Sequence, residues 1–365
     1  MVKSQKFILL CLILFFVSIT VNCGSEQKYF TLEDFPGVEK IDAHVHVNSV
    51  STAFIKQAQT DNFKIITINV DYPDFPSIEE QFNIATKLMQ EYPNTFAFAS
   101  TFHLTGWDEP GWQEKTIKHI DSTLSKGAIM VKVWKNIGMD FRDKDSNLVM
   151  IDDQKFDVIF EHLSQKNIPL IGHLGEPKNC WLPFDEMTTN NDREYFKTHP
   201  QYHMYMHPEF PSYEEQMAAR DRMLEKNSQL RFMGAHLASL EWSVDKIAEF
   251  LDKFPNAVVD MAARMIHLQF QSSRDRYKVR NFLIKYQNRI LYATDNTQSR
   301  GWDSEEFKQQ VHKTWLDDWK YMVTTDTLKT NEFEELILGL KLPKKVVEKI
   351  YRLNAEKMFP EAWKE

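Results

Sequence analysis

The run Asp42-Ala43-His44-Val45-His46 closes the first apolar stretch that follows the N-terminal segment. Side chains two apart on a β-strand share a face, so His44 and His46 aim two imidazoles at one point. That is half of a metal site. A half-exposed strand with two polar residues outward gives the same tripeptide, so the pair needs support from the rest of the chain. The support comes from four further apolar runs, which end at His173, His236, Asp260 and Asp295. Singly, each has an ordinary explanation: a lone strand-end His is usually a satisfied core residue, and Asp260, like Asp71, suits a turn or a helix cap. Jointly they supply three or more imidazoles and a carboxylate, the donors that catalytic Zn²⁺ takes around one open position. Such an ion lowers the pKa of bound water to about 7 and so supplies hydroxide at neutral pH.

Convergence of groups so far apart in sequence requires a particular scaffold. Eight β-branched apolar runs recur, at 38–47, 63–71, 95–101, 127–134, 168–173, 230–236, 256–260 and 289–295. Between them lie amphipathic patterns at 77–91, 112–125, 152–166, 213–226, 241–254 and 275–286. Strands alternating with helices predict a parallel sheet, and the count of eight predicts a closed (β/α)8 TIM barrel, in which the C-terminal strand ends meet at one mouth. The tail continues as predicted helices at 304–321, 331–338 and 343–357. Residues 38–365 are therefore read as one barrel domain with extra C-terminal helices. The segment 178–211 is rich in Pro, aromatics and His, follows the fifth strand and is a candidate lid. Loops 48–57 and 106–111, with 178–211, are expected to shape the substrate site.

The combination resembles the amidohydrolase superfamily, in the branch called amidohydrolase family 2. The matching motifs are Ile41-Asp42-Ala43-His44-Val45-His46, Gly172-His173-Leu174-Gly175-Glu176-Pro177, Gly234-Ala235-His236 and Tyr292-Ala293-Thr294-Asp295, in order over roughly 38–300. The resemblance implies that His44, His46, His173 and Asp295 hold one divalent metal, Zn²⁺ foremost, with Mn²⁺ and Fe²⁺ also suited to such ligands. It implies that Asp295 accepts a proton from the attacking water and that His236 hydrogen-bonds the water or the substrate oxygen. Some superfamily members carry a metal-bridging lysine on the fourth strand. Lys132 and Lys135 are three apart, so a regular strand turns one of them inward. Lys132 is the better fit, with Trp134 beside it, as a second-metal or substrate ligand.

Other candidates are Arg264, whose planar fork suits a substrate carboxylate, Glu176 beside His173, and His103 at the end of the third strand. Trp134, Trp181 and Phe184 are candidate walls of an aromatic pocket. Three readings of function follow. The first is a hydrolase using a metal-activated water on a small amide, lactone or ester. The second is a metal-dependent, non-oxidative decarboxylase, for which Arg264 would hold the carboxylate. The third is a non-catalytic ligand-binding surface lipoprotein, which predicts a lost ligand; none is lost.

The N-terminus explains the last idea. Lys3 and Lys6 precede an apolar run over 7–17, too short and too poorly flanked for a secure membrane span. The run leads to Thr20-Val21-Asn22-Cys23, which resembles a lipoprotein signal. Residues 1–22 are then a signal, Cys23 the lipidated first residue and 23–37 a tether, placing the protein on the periplasmic or cell-surface side of a membrane. Loss of Lys3 and Lys6 with no acid takes the net charge from −8 to −10, which excludes a typical nucleic-acid binder. With Cys11 in the signal and Cys23 acylated, Cys180 has no disulfide partner.

Overall fold

The computed structural model describes residues 28–302 and 304–363. The signal at 1–22 and Cys23 lie outside the described residues. Of the segment read as a tether, Phe30 and Phe35 are buried and pack on Trp319.

Eight strands form the barrel: β1 (Lys40–Val47), β2 (Phe63–Ile68), β3 (Phe96–Thr101), β4 (Val131–Val133), β5 (Leu170–Gly172), β6 (Phe232–Gly234), β7 (Ala257–Asp260) and β8 (Ile290–Leu291). Each pairs in parallel with the next. A short β9 (Thr297–Gln298) continues beyond β8 and pairs with β1. Closure is reinforced where Ala43 N–H donates to Tyr292 C=O at 3.0 Å and Asp295 N–H to His44 C=O at 2.9 Å. The main helices around the sheet are α1 (Ala53–Thr60), α2 (Ile78–Glu91), α3 (Trp112–Ser125), α4 (Asp157–Gln165), α5 (Asn190–Thr198), α6 (Tyr213–Lys226), α7 (Val244–Lys253), α8 (Met265–Arg274), α9 (Arg276–Lys285) and α10 (Glu305–Val323). Five of these ten helices start at a side-chain cap. Ser77, Ser243, Asp275 and Ser304 each accept from a backbone N–H of the first turn, and Ser212 with Glu215 forms a reciprocal capping box.

Two apolar layers hold the barrel. Ile41, Ala43, Ile66, Ala97, Met233 and Leu291 fill the interior, where Met358 and Phe359 of the C-terminal tail also pack. Val45, Val47, Phe98, Val131, Val133 and Phe232 belong to the second cluster, which includes the buried faces of the helices. The parity of β1 is broken by a bulge: Asp42 is opposite Ile65 while Val45 is opposite Thr67, so three steps on β1 match two on β2. Ile41 and Ala43 therefore face the interior, yet so do His44 and His46 further along. Asp42 faces the other way, where its carboxylate accepts from Trp315 Nε1 at 2.9 Å and Thr294 Oγ1 at 2.6 Å.

Three expectations need correction. Residues 331–338 are not helical: Ile337–Leu338 pairs antiparallel with Thr327–Leu328, because Ile337 is buried and Leu338 exposed, an alternation that a strand satisfies. Loop 48–57 is partly the first turn and a half of α1, whose Phe54 and Ile55 are buried in the outer layer. The segment 178–211 is no plain loop, since it contains α5.

A buried acid beside the barrel yields a testable slope. Asp318 on α10 accepts from Tyr292 O–H at 2.8 Å, and burial pushes its pKa up to about 7. Between its unfolded value near 4 and about 7, the folded chain binds the extra proton, so this group's contribution to stability falls as pH rises. Asp318→Asn is expected to flatten that part of the stability profile, measured by urea unfolding at pH 4.5 and 7.5. An unchanged slope would refute the assignment.

Candidate active site

His44 and His46 reach the barrel mouth from β1, Lys132 from β4, His173 from the turn after β5, His236 from the turn after β6 and Asp295 from the segment after β8. Second partners fix the imidazoles. His44 Nδ1 is 3.0 Å from Asp260 Oδ2, His46 Nδ1 donates to Ile68 C=O at 2.7 Å, and His236 Nδ1 donates to Ala262 C=O at 2.9 Å. A carbonyl oxygen can only accept, so Nδ1 carries the proton in His46 and His236, and an ionised Asp260 imposes the same on His44. Each Nε2 then presents a lone pair. Asp260 is thus more than a turn residue. Its other oxygen accepts from His236 N–H at 2.8 Å, so one buried carboxylate orients two histidines.

The lone pairs converge. Asp295 Oδ1 lies 3.4 Å from His44 Nε2 and 3.2 Å from His46 Nε2. His44, His236 and Asp295 have ligand atoms all within 4.8 Å of one another. His173 packs beside them, its ring centroid 4.1 Å from that of His236 with the rings tilted by 59°. Burial drives the pKa of His44, His173 and His236 down, with Lys132 adding to the effect at His44 and His173. They are neutral ligands in waiting. Burial alone would raise Asp295, but its coupling to His236, His46 and His44 outweighs it: a proton entering the cluster goes to an imidazole before the carboxylate, which stays ionised. Two buried atoms here, Asp295 Oδ1 and His173 Nε2, have no hydrogen-bond partner among the described residues. Buried polar atoms left without partners around a point are costly unless something fills it, and neutral imidazoles with a carboxylate are the donors a divalent cation accepts. The residues present therefore fit a metal ion.

The backbone is strained at the same place. Asp295 has φ 66°, and His236, Leu237, Ala238 and Ser239 run through the left-handed region with φ 55–58°. Non-glycine residues adopt that region at a cost of roughly 1–3 kcal/mol each when surrounding contacts enforce it. Gly234 makes the tight turn possible, since a Cβ there would sit 2.6 Å from Ala238 Cβ.

A cavity of about 310 Å³ opens from this point. Lys132 is buried in its floor, 3.4 Å from His44 Nε2, and burial lowers its pKa to about 8 against the pull of Asp295 and Asp260. Lys135 lines the cavity as well. The expectation that only one lysine faces in fails because β4 ends at Val133 and Lys135 lies in the following turn. Lys135 is ion-paired with Glu176, whose other oxygen is 3.7 Å from His173 Nε2. Arg264 is 6% exposed and lines the cavity, with a hydrogen bond from Nη1 to its neighbour's carbonyl. It has no carboxylate within ion-pairing distance among the described residues, and its Nε is unpartnered.

His103 does not join the site. It is paired with Glu79 at 2.8 Å on the surface, because β3 ends two residues before it. Trp134 does line the cavity, whereas Trp181 and Phe184 do not; they pack on Tyr213 and His203. The other aromatic walls are Tyr72 and Phe75 after β2, and Tyr195 and Phe196 on α5. Sequence reasoning missed all four. The lid expectation for 178–211 is the signal that points to the last two, but loops 48–57 and 106–111 contribute no wall.

Comparison with known proteins gives a consistent picture. A family model described as amidohydrolase (Amidohydro_2) matches residues 104–360. No curated protein matches in sequence. Among solved structures, one of a Staphylococcus aureus protein described as an amidohydrolase is similar at TM-score 0.51 and 12% identity, covering 88% of this chain and 100% of that one. A structure described as amidohydrolase II aligns at TM-score 0.50 and 14% identity, with the same coverage. A Pseudomonas putida protein described as a 2-pyrone-4,6-dicarboxylic acid hydrolase aligns at TM-score 0.50 and 10% identity, covering 89% of this chain and 99% of that one. At such identities the likeness is one of fold.

Proposed function

Since the chain belongs to the amidohydrolase family, we propose that it is a metal-dependent hydrolase that opens a small amide, lactone or ester with water. The single observation carrying this reading is the convergence of three Nε2 lone pairs and the unpartnered Asp295 Oδ1 at the barrel mouth. His44, His236 and Asp295 would be the tightest seat for one divalent ion, most simply Zn²⁺, with His46 and His173 bordering it. A bound ion supplies Lewis acidity and a water of lowered pKa.

The chain's own groups do the rest. Asp295 is ionised, and its carboxylate takes the water proton. His236 donates its Nδ1 proton to Ala262, so its Nε2 faces the site as an acceptor; it suits a ligand or a water proton, not donation to a substrate carbonyl. Asp260 holds His44 and the His236 backbone in register. Lys132, in the floor, neutralises developing negative charge on the substrate oxygen. The aromatic walls seat an apolar or planar body and exclude bulk water.

A second reading is supported by Arg264, a buried guanidinium in the same cavity with no carboxylate within ion-pairing distance among the described residues: a substrate carboxylate held there would suit decarboxylation. We further propose export, with attachment to a membrane through lipid on Cys23.

Metal content and turnover test the reading together. Protein beginning at Gly24 is expected to carry about one equivalent of metal and to release acid from a panel of lactones, esters and cyclic amides. Absence of metal after reconstitution would overturn both catalytic readings. Carbon dioxide from aryl and enoic carboxylates, without lactone or ester hydrolysis, would favour the second.

A further inference from the structure

We propose that Tyr195 is a substrate-contacting hydrogen-bond donor, carried over the cavity by the lid helix α5 and aimed at a carboxylate or carbonyl oxygen of the ligand. The inference rests on the cavity being the substrate site.

The argument starts from the direction of one hydrogen bond. Lys135 Nζ lies 3.2 Å from the Tyr195 phenol oxygen. An ammonium has three protons and no lone pair, so it can only donate and the phenol oxygen must accept. The phenol proton is thereby left over, and it has no acceptor among the described residues. The lysine cannot readily swing away to change this. It is ion-paired with Glu176 and sits 4.2 Å above the centre of the Tyr202 ring. Tyr195 itself is held by ring stacking on His199, with centroids 4.4 Å apart. A donor fixed in direction, with its proton unclaimed and its side chain on the wall of the cavity that also holds His173, His236 and Asp295, is a preorganised binding group.

The platform beneath it is pinned at its far end. At the start of α5, Asn190 N–H donates to Glu332 C=O at 3.1 Å and Asn191 N–H to Glu332 Oε2 at 2.6 Å. Asp192 on the same turn accepts from Asn179 Nδ2 at 2.7 Å and lies 3.4 Å from His267 Nε2 on α8. The helix is tied to the barrel and to the C-terminal hairpin, so Tyr195 is presented rather than left to search.

Benzoate, a planar ring with acceptor oxygens, is the probe. It is titrated calorimetrically into wild type and Tyr195→Phe, each with its metal content measured beforehand. The phenylalanine keeps the ring and its stacking, and removes only the hydroxyl. Affinity is expected to fall about 10- to 100-fold, the range for a hydrogen bond to a charged acceptor, with metal content unchanged. Equal affinities, no binding by wild type, or a loss accompanied by loss of metal would each overturn the proposal. Failure of the hydrolase reading would show separately, as a wild-type protein without metal.

Discussion

The double variant His44→Ala/His46→Ala is expected to lose its metal and, with it, on the order of 10³-fold or more of hydrolytic activity. The magnitude follows from the several kcal/mol of transition-state stabilisation that a Lewis-acid ion supplies, at 1.36 kcal/mol per tenfold. Both imidazoles are oriented by fixed acceptors, Asp260 and the Ile68 carbonyl, which turn their Nε2 atoms into the site, where Lys132 is the other neighbour of His44 Nε2 at 3.4 Å. Truncation also leaves Asp295 Oδ1 facing an empty space. Metal analysis by mass spectrometry and turnover of a lactone or ester substrate check the expectation. A variant that retains stoichiometric metal would mean that His173, His236 and Asp295 suffice, and would refute the assigned seat.

Asp295→Asn carries the second-largest expected effect, a fall in kcat of about 10²–10⁴-fold, the usual contribution of a positioned general base. The substitution keeps shape and an oxygen but removes the charge. Because the histidines around it hold the carboxyl well below its usual range, Asp295 is ionised throughout mildly acidic pH. The acid limb of a kcat/KM profile above pH 4 should therefore not be its own titration, and the wild-type profile should show no inflection at an ordinary carboxylate pKa. Part of the metal should remain in the variant, since an amide oxygen can still coordinate. Near wild-type kcat with bound metal would refute the proton-accepting role.

The two variants probe different residues of one constellation, and their effects should not add. His44 and Asp295 are in contact, at 3.4 Å, and groups that act as a unit give strongly non-additive losses. A triple variant is accordingly expected to be no worse than the double histidine variant by more than a fewfold.

The sequence by itself determined the barrel and which polar residues meet at its mouth. Eight apolar runs alternating with amphipathic ones allow little besides a closed parallel sheet, and all eight appear as strands in order. The placement of His46, His173, His236 and Asp295 near or past strand ends was legible because strand-end positions meet at one mouth whatever the details of packing.

What only the tertiary structure decided is aim and company. The bulge in β1 sends His44 and His46 inward and Asp42 toward Trp315; simple alternation would place all three on one face with Lys40. Asp260 became an orienting carboxylate through a contact 216 residues away, which no local pattern records. Lys135 entered the cavity because β4 stopped one residue short of Trp134, and His103 left it because it lies two residues past β3 and pairs with Glu79 at the surface. Residues 331–338 have a helix-like composition but gain more by placing Ile337 in the core and Glu332 on the start of α5. Local periodicity fixes which residues are apolar neighbours. Long-range hydrogen bonds and burial fix which way a polar side chain points and what it meets, and these depend on elements that are far apart in the sequence.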